Sequence, residues 1–277
     1  VKVWVSGAVV EARRATVPAD DHGLVVGDGV FETIKVIDGH PFALTRHLDR
    51  LHTSAAALGI EVPTHDELRL AVGELLAANA GEVAAAPLRL RITVTGGPSP
   101  LSSVRGDAPS TVLLALTPID SVPSIVDVVV VPWTRNERGA LAGVKSTSYA
   151  ENVRALAFAH ERGAGEAVFA NTVGELCEGS GTSIFVGVGG RLLTPPLTSG
   201  CLAGVTRGLL LEWLDAAEEP MPVGALATAD EAFLASTIRD IQPIRAVDGR
   251  PLPEAPGPLT VLAQKVFAER MAAEHEP

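Results

Sequence analysis

Cysteine, lysine and tyrosine are all scarce in this chain of 277 residues. Cys177 and Cys201 are the only cysteines. Their separation matches no zinc-binding spacing, and two cysteines build no disulfide framework, so both read as reduced and structural. Basic charge is also short: 22 Lys and Arg face 33 Asp and Glu, for a net charge of −11 and a pI near 5.1. An acidic chain without a basic stripe excludes nucleic acid and an anionic membrane surface as partners. Any anion site must therefore be built from local groups. No hydrophobic run is long enough to span a bilayer, and "VKVWVSGAVV" is too short and interrupted for a signal peptide. The expectation is a soluble, cytosolic protein without metal. Repeats and low-complexity segments are absent.

What the chain does have is apolar content, 47% of its residues against 20% charged, enough for a large core. "LRLRITVTGG" alternates, with Leu90, Ile92 and Val94 on one face and Arg89, Arg91, Thr93 and Thr95 on the other, the signature of a half-buried strand. "VKVWVSG", "STVLLALTP", "IVDVVVVPW", "EAVFAN", "TSIFVGV", "RLLTPP" and "DEAFLAST" read as further strands, with Gly189-Gly190 turning a hairpin. Helices are expected over "TRHLDRLHTSAAALGI" with Thr45 as N-cap, over "HDELRLAVGELLAANAG" ending in Gly81, and from about Tyr149 to Arg162. Two more are expected over "AGVTRGLLLEWLDAAEE" and "PLTVLAQKVFAERMAAE". The polar, proline-bearing "IDSVPS" divides an α/β domain over 1–119 from a second over 120–277, to which Lys145 is assigned.

Lys2, Lys35, Lys145 and Lys265 are the only lysines, and Lys145 stands in "GVKSTSYAENV", between an apolar strand and a helix. A lysine serves catalysis when it can shed its charge and attack a carbonyl, which partial burial promotes. A solvated loop position is the alternative reading. "LAGVTRG" opens a helix at Gly204, Val205 and Thr206, whose backbone N–H groups suit an anion. Ser236 and Thr237 end a strand with two hydroxyls, and Arg50 on the first long helix supplies a full charge. Capping and turn roles compete for each of these. Glu178 and Glu175 in "GELCEGSGTSIF" are acids that could keep a heterocyclic nitrogen protonated, and their spacing does not choose between them. Tyr149, one helical turn from Lys145, is a donor to a cofactor hydroxyl or an amphipathic edge residue. A lysine, a phosphate pocket and a carboxylate together are what pyridoxal phosphate requires.

Six stretches in order, "GDGVFETIKV", "RHLDRLHTSA", "GVKSTSYAENV", "ELCEGSGTSIFV", "LTPPLTSGCLAGVTRG" and "FLASTIRDIQPI", resemble the class IV (fold type IV) pyridoxal-phosphate enzymes. These include branched-chain aminotransferases, D-amino acid aminotransferases and 4-amino-4-deoxychorismate lyases. The resemblance runs almost end to end. It implies a two-domain mixed α/β fold of the D-amino acid aminotransferase type, with pyridoxal 5'-phosphate as cofactor. It implies Lys145 as the Schiff-base lysine, Glu178 rather than Glu175 on the pyridine nitrogen, and Arg50, Val205, Thr206, Ser236 and Thr237 on the phosphate. Tyr149 is placed at the cofactor too. It implies a homodimer with the active site between two domains, whose partner subunit helps to wall the substrate pocket.

Within the family, the loop "TVTGGPSPLSSVRG" lacks the arginine–histidine pair with which D-amino acid aminotransferases trap a carboxylate. "STSYAEN" replaces the glycine- and asparagine-rich stretch of branched-chain enzymes. "KSTSYAENVRAL" and the short chain look most like the aminodeoxychorismate lyases, which make 4-aminobenzoate and pyruvate. The resemblance then implies that Lys145 removes the C4 proton before the enolpyruvyl group leaves. Arg89 and Arg91 are candidates for the substrate carboxylates. Many lyase relatives carry a threonine where this chain has Glu32, a departure that keeps an aminotransferase of D-amino or branched-chain amino acids as the alternative. A cofactor-binding protein without catalysis is the alternative of another class.

Overall fold

The alternating stretch "LRLRITVT" forms a strand over Leu88–Thr95 in the computed structural model, which describes residues 1–84 and 86–277. Its Leu88, Leu90, Ile92 and Val94 are buried and its intervening residues half-buried, as a period of two dictates for a strand covered on one face. Among the described residues it is β5 of a six-stranded sheet with β1 (Lys2–Val5), β2 (Ala8–Glu11), β3 (Gly29–Ile37), β4 (His40–Pro41) and β6 (Thr111–Pro118). The order is β2-β1-β6-β5-β3-β4, antiparallel throughout. α1 (His22–Val25) precedes β3, and α2 (Leu44–Leu58), α3 (His65–Ala78) and the single turn α4 (Ala80–Val83) lie between β4 and β5. Leu48 and Leu51 of α2 and Leu68, Val72 and Leu75 of α3 share one core with Ile34, Leu90 and Ile92.

Helix limits differ from the sequence reading for local reasons. Thr45 lies inside the first turn of α2; the N-cap is Ala43, in the left-handed region at φ 54°. α3 opens on a reciprocal capping box between Thr64 and Glu67 but stops at Ala78 rather than Gly81. Asn79 leaves the helix because its amide binds both backbone groups of Lys2 on β1, at 2.8 and 3.1 Å.

The chain divides into two compact units: Val1–Asp120 with Val144–Tyr149, and Ser121–Gly143 with Ala150–His275. Lys145 thus belongs to the first unit, although it follows the linker in sequence. The reason is strand-like pairing along β3: Phe31 N–H donates to Lys145 O at 3.0 Å, Thr147 N–H donates to Gly29 O at 2.8 Å, and Val30 pairs with Ser146.

The second unit holds β7 (Val126–Arg135), β8 (Glu166–Asn171), β9 (Leu176–Gly179), β10 (Ser183–Val188), β11 (Arg191–Thr194), β12 (Ala216–Glu218), β13 (Glu231–Ser236), β14 (Asp240–Val247) and β15 (Arg250–Pro251). Their order is β12-β11-β10-β13-β14-β7-β8-β9, with β15 on β14. β7 runs parallel to β14 and β8, and every residue of β8 is buried, as for a central strand with both faces covered. α5 (Ala150–His160) places Ala155 and Ala159 against Val129, Val131 and Phe169. Tyr149 lies outside this helix, so the expected one-turn relation between Tyr149 and Lys145 does not occur. α6 (Val205–Trp213) ends earlier than expected because the residues after it pair as β12 with β11. α7 (Pro258–Ala273) is capped from β13: buried Glu231 accepts the N–H groups of Leu259 and Thr260 at 2.9 and 2.7 Å. No helix among the described residues is long and apolar enough to cross a membrane. They include no group of His, Cys, Asp and Glu able to hold a metal ion. Cys177 and Cys201 are free and buried, and burial pushes both thiols up.

Candidate active site

The glycines of "GDG" explain why Lys145 can dock on β3. A Cβ at Gly29 would come within 2.9 Å of both Thr147 Oγ1 and Val94 O. Gly27 adopts φ 71°, and a Cβ there would meet Ser148 Oγ at 2.7 Å. Neither position admits a side chain without displacing the segment that carries the lysine. Gly27 O accepts the hydroxyls of Thr147 and Ser148 at 2.9 and 3.0 Å, and Lys145 N–H donates to buried Ser54 on α2 at 3.2 Å. With its backbone fixed to β3 and α2, Lys145 is half-buried and sets Nζ 4.5 Å from the Phe31 ring centroid. Tyr149 packs edge-on against the same ring at 5.1 Å, and its own ring lies 5.8 Å from Lys145 Nζ.

Phe31 also carries Arg91, whose guanidinium carbon lies 3.3 Å from the ring centroid. Arg91 pairs diagonally with Phe31 across β3 and β5, where Thr33 faces Arg91 and Phe31 faces Thr93. Its Nε donates to Thr93 Oγ1 at 3.3 Å. Burial pulls Arg91 down to about 10, opposed by Tyr149 and Glu32, so it stays charged at neutral pH.

On the helix-covered face of β3, Glu32 is fully buried. Arg50 grips it with two hydrogen bonds, Nε to Oε1 at 2.8 Å and Nη2 to Oε2 at 2.7 Å. His47 Nδ1 lies 2.7 Å from Oε2. Burial pushes the Glu32 carboxyl up, but the charge and hydrogen bonds of Arg50, with the His47 hydrogen bond, outweigh it and hold the group below the ordinary carboxylate range. Burial likewise pushes His47 down, which favours its neutral form. Arg50, expected on a phosphate, therefore commits one edge of its fork to Glu32.

In the second unit, Glu178 lies on β9, half-buried. Its Oε2 accepts the Leu202 N–H at 2.9 Å, and its Oε1 is 3.2 Å from Arg135 Nε. Glu175 instead closes the turn before β9, where its N–H and carboxylate meet the Asn171 side chain at 2.9 and 3.1 Å. The geometry separates two acids that spacing left equal. Val205 and buried Thr206 form the first turn of α6, behind the N-cap Gly204, which offers no side chain to those N–H groups. A Cβ on Gly204 would meet Ser183 Oγ at 2.6 Å. Ser183 pairs with Ala235, next to Ser236, so the start of α6 lies beside the end of β13, where Ser236 and Thr237 are half-buried. Two donor pairs thus gather at one end of this sheet, the donor set an anion requires. Phe31, His47 and Arg135 had no part in the sequence reading. The only signal for Phe31 was its place inside "GDGVFET".

The class IV amino-transferase family model matches residues 29–247. A branched-chain aminotransferase from Thermoproteus uzoniensis, solved with norvaline, superposes with a TM-score of 0.91 at 32% identity, covering 99% of this chain and 96% of that one. The D-alanine aminotransferase of Bacillus licheniformis is 29% identical over 99% of this chain and 98% of its own length. The aminodeoxychorismate lyase of Bacillus subtilis is 30% identical over 89% of this chain and 86% of its own length. The fold is the two-sheet, mixed α/β fold type IV.

Proposed function

We propose that this chain, which belongs to the class IV aminotransferase family, is a pyridoxal-phosphate-dependent aminotransferase that moves the amino group of an amino acid to a 2-keto acid. The observation that carries this reading is the surround of Phe31. Lys145 Nζ and the partly desolvated Arg91 guanidinium both lie against its ring, at 4.5 and 3.3 Å from the centroid. Among the described residues Arg91 has no carboxylate partner within ion-pair distance. An amino acid needs its carboxylate gripped and its Cα–H within reach of a base, and a guanidinium is the group best matched to a carboxylate.

The residues fit the cofactor. Lys145 provides the amine. In the second unit, Val205, Thr206, Ser236 and Thr237 would take the phosphate, and Glu178 would pair with the ring nitrogen. Bound pyridoxal phosphate supplies the sink for the electron pair left when the Cα–H bond breaks. Glu178 would hold a proton on the ring nitrogen, which makes that sink effective. Arg91 would hold the substrate carboxylate, and Lys145 Nζ would act as the base toward the Cα proton. Tyr149 packs on Phe31 and limits the room in which the lysine amine moves. Two copies of the chain form the working dimer.

A lyase making 4-aminobenzoate and pyruvate is the second reading, favoured by "KSTSYAENVRAL" and by the loop after β5, where Arg105 is held by Asp28 at 2.9 and 2.7 Å. Glu32, where many lyase relatives carry threonine, weighs against it. The test is turnover of D-alanine and of L-leucine with 2-oxoglutarate, beside aminodeoxychorismate without an acceptor. Acceptor-dependent conversion of an amino acid is expected. Sustained acceptor-free release of 4-aminobenzoate, with neither amino acid converted, would replace this reading with the lyase.

A further inference from the structure

We propose that Arg135 is the positioning residue that fixes Glu178 and sets how strongly that carboxylate holds a proton on the cofactor's ring nitrogen. The inference rests on the reading that Glu178 faces that nitrogen. Three adjacent strands build the pair. Phe169 on β8 lies directly opposite Glu178 on β9, and Arg135, the last residue of β7, lies opposite Asn171. The register between β7 and β8 is broken on the way: Val130 pairs with Val168, but Thr134 pairs with Ala170. β7 thus spends four residues where β8 spends two. In an unbroken register Trp133 would face Asn171; the irregularity delivers Arg135 to that place instead, the kind of local re-aiming for which bulges are retained.

Arg135 then lies along the Phe169 ring, its guanidinium carbon 4.1 Å from the centroid. Nε is 3.2 Å from Glu178 Oε1, at an angle that falls short of a hydrogen bond, and this buried nitrogen has no other acceptor. The contact is therefore a charge–charge contact held by stacking. Nη1 donates outward to the exposed Glu151 at 3.3 Å. Because Leu202 N–H holds the other oxygen, the carboxylate is fixed from both sides. A guanidinium at this distance shares the carboxylate's negative charge, so Glu178 attracts a nitrogen-bound proton less than a solitary carboxylate would. Space filling over Phe169 would require no cation; tuning the acid does.

The experiment uses holoprotein reconstituted with pyridoxal phosphate labelled with 15N in the ring, and NMR reads the pH midpoint at which the ring nitrogen loses its proton. R135Q and R135M remove the charge while keeping a side chain over Phe169; R135K keeps the charge; E178Q removes the acid. The expected result is a midpoint raised by roughly 1 pH unit in R135Q and R135M, near wild type in R135K, and lowered in E178Q. An unchanged or lowered midpoint in the two charge-removing variants, with E178Q shifted, would reduce Arg135 to packing and leave the Glu178 assignment standing. A wild-type midpoint in E178Q would overturn the Glu178 assignment itself, and this inference with it.

Discussion

Glu32 shows how much one residue can decide. It is fully buried, yet its carboxyl is held below the ordinary range because Arg50 and His47 outweigh the cost of burial. A depressed folded-state pKa stabilises the fold above the ordinary carboxylate value of about 4.3, and that stabilisation is lost as pH falls through the folded value. Glu32→Gln keeps the shape and removes the charge, so the Arg50 guanidinium loses the carboxylate it pairs with. Urea unfolding at pH 7 is expected to show a loss of about 3–5 kcal/mol, a difference that shrinks as the pH is lowered below 4. Equal stability of the two proteins at pH 7 would mean that the cluster contributes nothing. Residues of this kind are only partly legible in sequence. Lys145 stood out by rarity and setting, and the motif carried the choice of Glu178. Arg135 was illegible because its place depends on a register break no pattern announces. Arg91 was legible as a strand-face arginine, but its ring partner was not.

At the scale of elements, periodicity located β5 and the body of α2 and α3, since each alternation or stripe has a core to face. It missed β14, where Pro243 interrupts the strand signal, and β9, four residues long between turns. It placed Lys145 correctly just ahead of a helix, α5, but gave no sign that the segment docks on the edge of β3, because that is a tertiary contact. The loop after β5 is fixed by charge in the same way. His22 is 2% exposed, and both its nitrogens face acceptors: Nδ1 is 3.0 Å from Asp28 Oδ2 and Nε2 is 2.8 Å from Ser102 O. Serving both requires the doubly protonated ring. The Asp28 hydrogen bond, then that to Ser102, raises His22 above its usual value, while burial and Arg105 oppose it. Arg105 joins the same Asp28 and the carbonyls of Leu58 and Gly59 at 3.0 and 2.7 Å. A raised folded-state pKa gives stability that is full below about 6.5 and lost as pH rises through the folded value. After correction for intrinsic exchange rates, hydrogen-exchange protection of residues 97–106 is expected to fall from pH 6 to pH 9, and to lose that trend in His22→Gln. A pH trend retained in the variant would assign it to another group.

For the whole molecule, the net acidic charge and the packed apolar cores say little about chemistry; the family and a few fixed side chains say most. Two mixed α/β units were legible because each carries complete runs of strand and helix signals around its own apolar core. The choice among amino acid, keto acid and chorismate-derived substrates was not, since it depends on pocket shape rather than on any motif. What remains common to all these activities is one lysine. The most direct measurement is therefore borohydride reduction of the pyridoxal-phosphate-saturated protein, followed by peptide mapping. The expected result is a single pyridoxyl label on Lys145. A label on Lys2, Lys35 or Lys265, or none at all, would contradict it.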